Sequence, residues 1–361
     1  MPIKFRKQTV AHEAFESCGV FDVDGDGVLD IVSGAFWYKG PDFKKKIPID
    51  QSNGVRYNDY YDDFSTIAMD IDGDGRLDFI TGGWWGNTLR WRQNPGEKGG
   101  EWPVHVIAEV GNVETTRAWD IDGDGQLEIV PNCPGRPVSV FKLQMLNGKP
   151  AGTFTRHQLS ETAQGHGMGF GDIDGDGKGE IILNKGYLKA PAGDAFGKPW
   201  TYHEGGFDLG SDASVPILVE DINGDGRNEL IVGRSHSYGL EWWGIDPTTK
   251  AWVKHPIDPF NSQYHDLIWA DIDGDGKKEL ITGKRFWAHC GGDAGELDDV
   301  GTYYFKWTGE GFVKMPISYG AIGVGKGCGI HFAVADLRGS GRLDVVCPGK
   351  DGLAVFWNEG Q

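Results

Sequence analysis

Apolar and polar positions alternate along this chain in short bursts, each cut by glycine, aspartate or proline. In "HDLIWADIDGDGKKELITG" (residues 265–283) an apolar run enters an acidic, glycine-rich turn and a β-branched run leaves it. An aromatic run then follows in each unit, of the type "TLRWRQN", "LEWWG", "TYYFKW" or "LAVFWN". The unit closes on a run such as "WPVHVIA", "WVKHPID" or "FVKMPIS". No window sustains a 3.6-residue period, so the elements are strands, four to a unit.

The unit recurs. The first aspartates of its acidic turns are Asp22, Asp70, Asp120, Asp172, Asp221, Asp271 and Asp336. A period of about 50 residues signals a propeller or solenoid. The chain opens on "FRKQTV", which reads as a fourth strand, and ends on "GLAVFWNEG", which reads as a third. Residues 3–10 are thus expected to complete the last blade, leaving no open sheet edge. The reading is all-β: a single domain over residues 1–361, folded as a closed seven-bladed β-propeller of four-stranded blades.

The acidic turns carry metal chemistry. In "DIDGDGKKE" the oxygens of Asp271, Asp273, Asp275 and Glu279, with the Lys277 carbonyl, suit calcium, and the glycines allow the tight turn. Equivalent sets are Asp22, Asp24, Asp26 and Asp30; Asp70, Asp72, Asp74 and Asp78; Asp120, Asp122, Asp124 and Glu128. Two more are Asp172, Asp174, Asp176 and Glu180, and Asp221, Asn223, Asp225 and Glu229. The seventh copy has Arg338 and Ser340 in place of two carboxylates, and a guanidinium there stands in for an ion. About six structural Ca2+ ions are expected. They also account for the charge: the formal −18 falls to about −6 with six divalent ions bound. Nucleic acid is therefore an unfavoured partner.

These repeats resemble the FG-GAP/VCBS propellers of integrin α-subunits and bacterial secreted proteins. The resemblance covers essentially the whole chain and implies calcium in the hairpin between the first and second strands of each blade. It leaves function open, because one fold carries adhesion, lectin and lyase activities.

Chemistry is expected at the opposite end, where inner strands begin and second strands finish. Glu114, His166 and His265 each stand six residues before a first loop aspartate, and His331 stands five before. Six of the ten histidines map to that end. His166, His265 and His331 are candidate ligands for Zn2+ or another divalent transition metal. His236, His289, Asp266 and Glu114 are candidate bases, and Lys284 and Arg234 candidate partners for developing negative charge. Trp37, Trp84, Trp85 and Trp287 are candidate sugar platforms, with inter-blade wedging as the equal alternative.

The channel-end histidines of "QGHGMGF" and "YHDLIWAD" make the chain similar to the propeller domain of aldos-2-ulose dehydratases. That resemblance implies metal-dependent β-elimination on a keto-sugar. The functional expectation is a carbohydrate lyase or dehydratase for a keto-sugar or uronic-acid-type substrate. The alternative is a non-catalytic glycan- or protein-binding propeller. Periplasmic or extracellular residence is expected, since calcium is plentiful there, although "MPIKFRKQTV" has no apolar leader core. No apolar run reaches membrane-span length. Five cysteines, an odd number, make no disulfide framework. Oligomeric state is not encoded in these patterns.

Overall fold

The computed structural model describes residues 2–50, 56–57 and 60–361, with residues 56–57 described by backbone alone. Seven four-stranded antiparallel sheets form the ring. The inner strands of blades 1–7 begin at Gly19, Ile67, Thr115, Gly169, Leu218, Tyr264 and Ala333. In blade 5, for example, the strands are Leu218–Glu220, Glu229–Gly233, Tyr238–Ile245 and Trp252–Ser262.

Burial explains the two kinds of apolar pattern. Second strands are covered on both faces by neighbouring blades, so "DFITG" and "ELIVG" are buried at every position. Fourth strands face solvent on one side, so "FVKMPISYG" mixes half-buried with exposed positions. Seven apolar clusters fill the seven interfaces between adjacent blades, among them one between blades 7 and 1 built on Phe15, Tyr38, Val355 and Trp357.

The ring closes as expected. Strand Phe5–Ala11 pairs with Leu353–Asn358, from Phe5 opposite Asn358 to Ala11 opposite Leu353. The outer-strand histidines have a packing role. His105 stacks on Trp91 (4.4 Å), His203 on Tyr187 (5.2 Å) and His255 on Trp242 (4.1 Å), and Arg6 covers Trp357 likewise in blade 7. All five cysteines are free thiols. No helix among the described residues is long and apolar enough to cross a membrane.

Candidate functional site

An antiparallel hairpin places its turn at one end and its two free ends at the other. The acidic turns therefore lie on one face, and the starts of inner strands meet the ends of second strands on the opposite face. There, a cavity of about 350 Å³ has aromatic walls, formed by Tyr60, Phe64, Trp84 and Trp85. Its polar lining is Glu114, His166, His236, Arg285 and His289.

At the floor, four ligand-type atoms converge. Glu114 Oε1 is 3.0 Å from His265 Nε2 and 3.3 Å from His166 Nε2. His166 Nε2 is 3.0 Å from His236 Nε2. One ligand atom from each of these four residues lies within 4.8 Å of all the others. The remaining ring nitrogens define the tautomers. His166 Nδ1 faces the Ala213 carbonyl at 2.7 Å and His236 Nδ1 faces the Asp293 carboxylate at 2.9 Å, so both carry hydrogen there. Two Nε2 lone pairs and a carboxylate then point at one another. Only a proton or a cation between them relieves that repulsion.

The titration directions agree. Burial would raise Glu114, but positive charge on His166 outweighs it and holds the carboxyl well below its usual range. Burial would lower His166, and Glu114 reverses the sign and raises it. Burial, then His166, push His236 down to about 3, and burial holds His265 well below its usual value. Of the three imidazoles, His166 alone is shifted toward its charged form. The set of three imidazoles and one carboxylate suits a divalent transition metal, and His236 has the carboxylate–histidine support typical of metal ligands.

Asp293 serves two rings, since its other oxygen lies 2.9 Å from His289 Nδ1. His289 stacks on His236 at 4.2 Å with planes 8° apart. The loop bearing both is fixed by Glu296, which accepts the N–H groups of His289, Gly291 (2.6 Å) and Asp293 (3.1 Å). Opposite, Arg285 is buried against Glu16, its Nε at 2.8 Å from Oε1 and its Nη2 at 3.1 Å from Oε2.

The FG-GAP-like repeat family matches residues 70–130 and 221–282, each segment running from one acidic turn past the next. The chain carries FG-GAP-like repeats on seven four-stranded blades, which supports the FG-GAP seven-bladed propeller family. Among solved structures, it is similar to an Agrocybe aegerita lectin that recognises non-reducing terminal N-acetylglucosamine (16% identity, TM-score 0.52, covering 98% of this chain and 85% of the lectin). The V. cholerae biofilm matrix protein Bap1 is similar at 12% identity and TM-score 0.51, over 99% of this chain and 91% of that one. BBS1N, in its complex with ARL6DN, is similar at 9% identity and TM-score 0.56, over 99% and 97%. At such identities the likeness is one of fold. No curated protein matches the chain.

Within this FG-GAP ring, the candidate residues divide. Glu114, His166, His236, His265 and His289 are brought together, and Trp84 and Trp85 form a wall beside them. His331 stands apart: its Nδ1 lies 3.2 Å from the Cys18 carbonyl, where Ser17 and His331 bridge blades 1 and 7, so His236 supplies the third clustered imidazole. Asp266 is buried in an ion pair with Arg117 (2.6 Å) and accepts the Phe332 N–H, so it is committed to structure. Lys284 binds the carbonyls of Gly295 and Asp298, holding the loop of His289. Arg234 is taken up by Leu209, Asp212 and Glu241. Trp37 wedges between blades 1 and 2 against Trp102 and Phe79. Trp287 flanks the loop, its carbonyl accepting from Lys350, and is not in the cavity lining.

The strand-entrance spacing does not single out Arg285, Glu16, Asp293 or Tyr60. Arg285 follows Lys284 directly in "GKRFWAHCGG", and successive strand residues face opposite ways, so one of the pair had to face the cavity.

On the other face, the paired glycines adopt positive φ in every turn, as in Gly274 (73°) and Gly276 (86°). The ninth-position carboxylate folds back on the second-position N–H, Asp30 to Val23 at 2.9 Å and Glu279 to Ile272 at 3.1 Å. Burial and then Asp273 push Glu279 up to about 7, a sign of crowded negative charge. Asp120 Oδ1 and Glu279 Oε1 are buried without a hydrogen-bond partner. This all-oxygen set fits calcium. In four blades a third-strand lysine (Lys39, Lys142, Lys189, Lys306) also reaches the carboxylates. In the seventh turn, Arg338 bonds Asp344 (3.0 Å) and the Asn358 carbonyl (2.7 Å).

Proposed function

We propose that this propeller is a carbohydrate lyase or dehydratase whose channel-face cluster holds a divalent transition metal. The observation that carries the reading is the convergence of three imidazole Nε2 atoms and Glu114 on the floor of an aromatic-walled cavity. Glu114, His166, His236 and His265 would hold the ion, which supplies positive charge to a sugar carbonyl or carboxylate. His289, its Nδ1–H oriented by Asp293, is the base. It takes the proton alpha to that group. The C–H electrons form the C=C bond, and the β C–O electrons leave with the oxygen. Tyr60, Trp84 and Trp85 give the ring flat apolar surfaces. The A. aegerita lectin, of related fold, recognises a sugar, which supports carbohydrate as the ligand class.

On the opposite face we propose about six calcium ions as staples, which fits a periplasmic or extracellular home. A keto-sugar, as in aldos-2-ulose dehydratases, and a uronic-acid-type sugar are the two substrate classes within this proposal. The aromatic walls also favour a second reading, a non-catalytic glycan-binding module.

Elemental analysis beside an ultraviolet assay for unsaturated product separates the readings. Parent protein is expected to carry one transition metal per chain and to form unsaturated sugar. His236→Ala is expected to lose both, with its melting temperature nearly unchanged. A parent without transition metal or elimination that still retains oligosaccharide establishes the binding module instead.

A further inference from the structure

We infer that Arg285 is the recognition group for a substrate carboxylate, so the cavity takes an acidic sugar in preference to a neutral one. Glu16 engages only Nε and Nη2 of the guanidinium, and both side chains are 2% exposed. Among the described residues Nη1 has no hydrogen-bond acceptor, and Arg285 lines the cavity. Glu16 thus fixes the guanidinium plane and leaves the edge at Nη1, which Glu16 does not engage, to the cavity side. That edge is a planar fork of N–H donors, the geometry that pairs with a carboxylate.

Among the described residues, the cavity offers no other such group. Its remaining lining is aromatic rings, imidazoles and the Glu114 carboxylate, and Lys350 lies over the Tyr60 ring, donating to the Trp287 and Ala288 carbonyls. The buried Arg285–Glu16 pair would be costly as mere packing, because both ions are desolvated. A guanidinium locked by one carboxylate and open to a second is a preorganised site.

The placement also has chemical consequences, which rest on the elimination reading above. Neutralising a carboxylate makes the adjacent C–H more acidic. The proton then passes to His289, the C–H electrons form the C=C bond, and the β C–O electrons leave with the oxygen, which takes a proton from water. Recognition and activation fall on the same group.

Calorimetry on the parent protein tests the recognition without requiring turnover. The probes are oligogalacturonides and oligoglucuronides, each beside its C6-reduced neutral counterpart. At least one acid is expected to bind about 10-fold or more tightly than its neutral partner. Arg285→Gln should abolish that margin, and Arg285→Lys should keep part of it. The parent comparison stands even if Arg285→Gln does not fold. Equal or tighter binding of the neutral sugars, absence of binding by every acid, or an acid preference retained in folded Arg285→Gln overturns the inference. Untreated protein that prefers acid but shows no elimination activity upholds Arg285 and removes the lyase reading alone.

Discussion

On one face of the ring, seven hairpins repeat nearly the same phrase, with glycines at the same φ and carboxylates folded on the same backbone N–H groups. On the other face, the blades present different residues: aromatics from blade 2, Glu114 from blade 3, His166 from blade 4, His236 from blade 5, and His265 and Arg285 from blade 6. Repetition marks the load shared by all blades, which is closure of each hairpin against its neighbours. Asymmetry marks a single site. A residue's value for function here is read from how far it departs from the repeat.

The largest expected effect lies on the repeated face. Treatment with EGTA should lower stability by about 3 kcal/mol for each hairpin that binds calcium at 100 times its Kd. Asp273→Ala should remove one ion per chain, and Asp336→Asn in the seventh turn none. Calorimetry with calcium reads both. Indifference to EGTA would show that Lys39, Lys142, Lys189 and Lys306 neutralise the hairpins without an ion.

A pair of tryptophans sharpens the contrast between wedge and platform. Trp37→Ala should cost about 3–5 kcal/mol, because it empties an inter-blade contact, and should leave sugar affinity unchanged. Trp85→Ala should barely move the melting temperature while weakening sugar binding about 3- to 10-fold, the loss of one ring contact. Equal behaviour of the two variants would erase the distinction between the faces.

A local effect concerns Asp63, buried beside the blade 2 entrance and held by Thr81 at 2.9 Å. Burial pushes its pKa up to about 6. A raised pKa means the folded state favours the protonated form. Its contribution is full below pH ~4 and is lost as the pH rises through about 6, a fall of up to about 3 kcal/mol. Asp63→Asn should therefore gain stability relative to the parent across that window and hold the gain above it. Parallel pH profiles for the two proteins would refute this.

The fold was legible because each of its parts is local. Strand, turn and repeat are written within each ~50-residue unit, and closure shows in the complementary ends "FRKQTV" and "LAVFWN". The site was legible only to the height of each residue. Six-residue spacing placed Glu114, His166 and His265 at one level, and they do meet. His331, one residue out of that register, turned to the Cys18 carbonyl instead.

What the sequence by itself determined is the ring, its hairpins and the end at which chemistry-bearing residues gather, since period-2 alternation and turn glycines act over a few residues. What only the tertiary structure decided is which side chains meet. His236 joins the cluster from a second-strand exit, Arg285 faces the cavity while Lys284 turns to its own loop, and Asp293 links two imidazoles. Those contacts join residues far apart in the chain, 151 positions between Glu114 and His265 and 269 between Glu16 and Arg285. Blade packing sets them, and no local pattern records its angle.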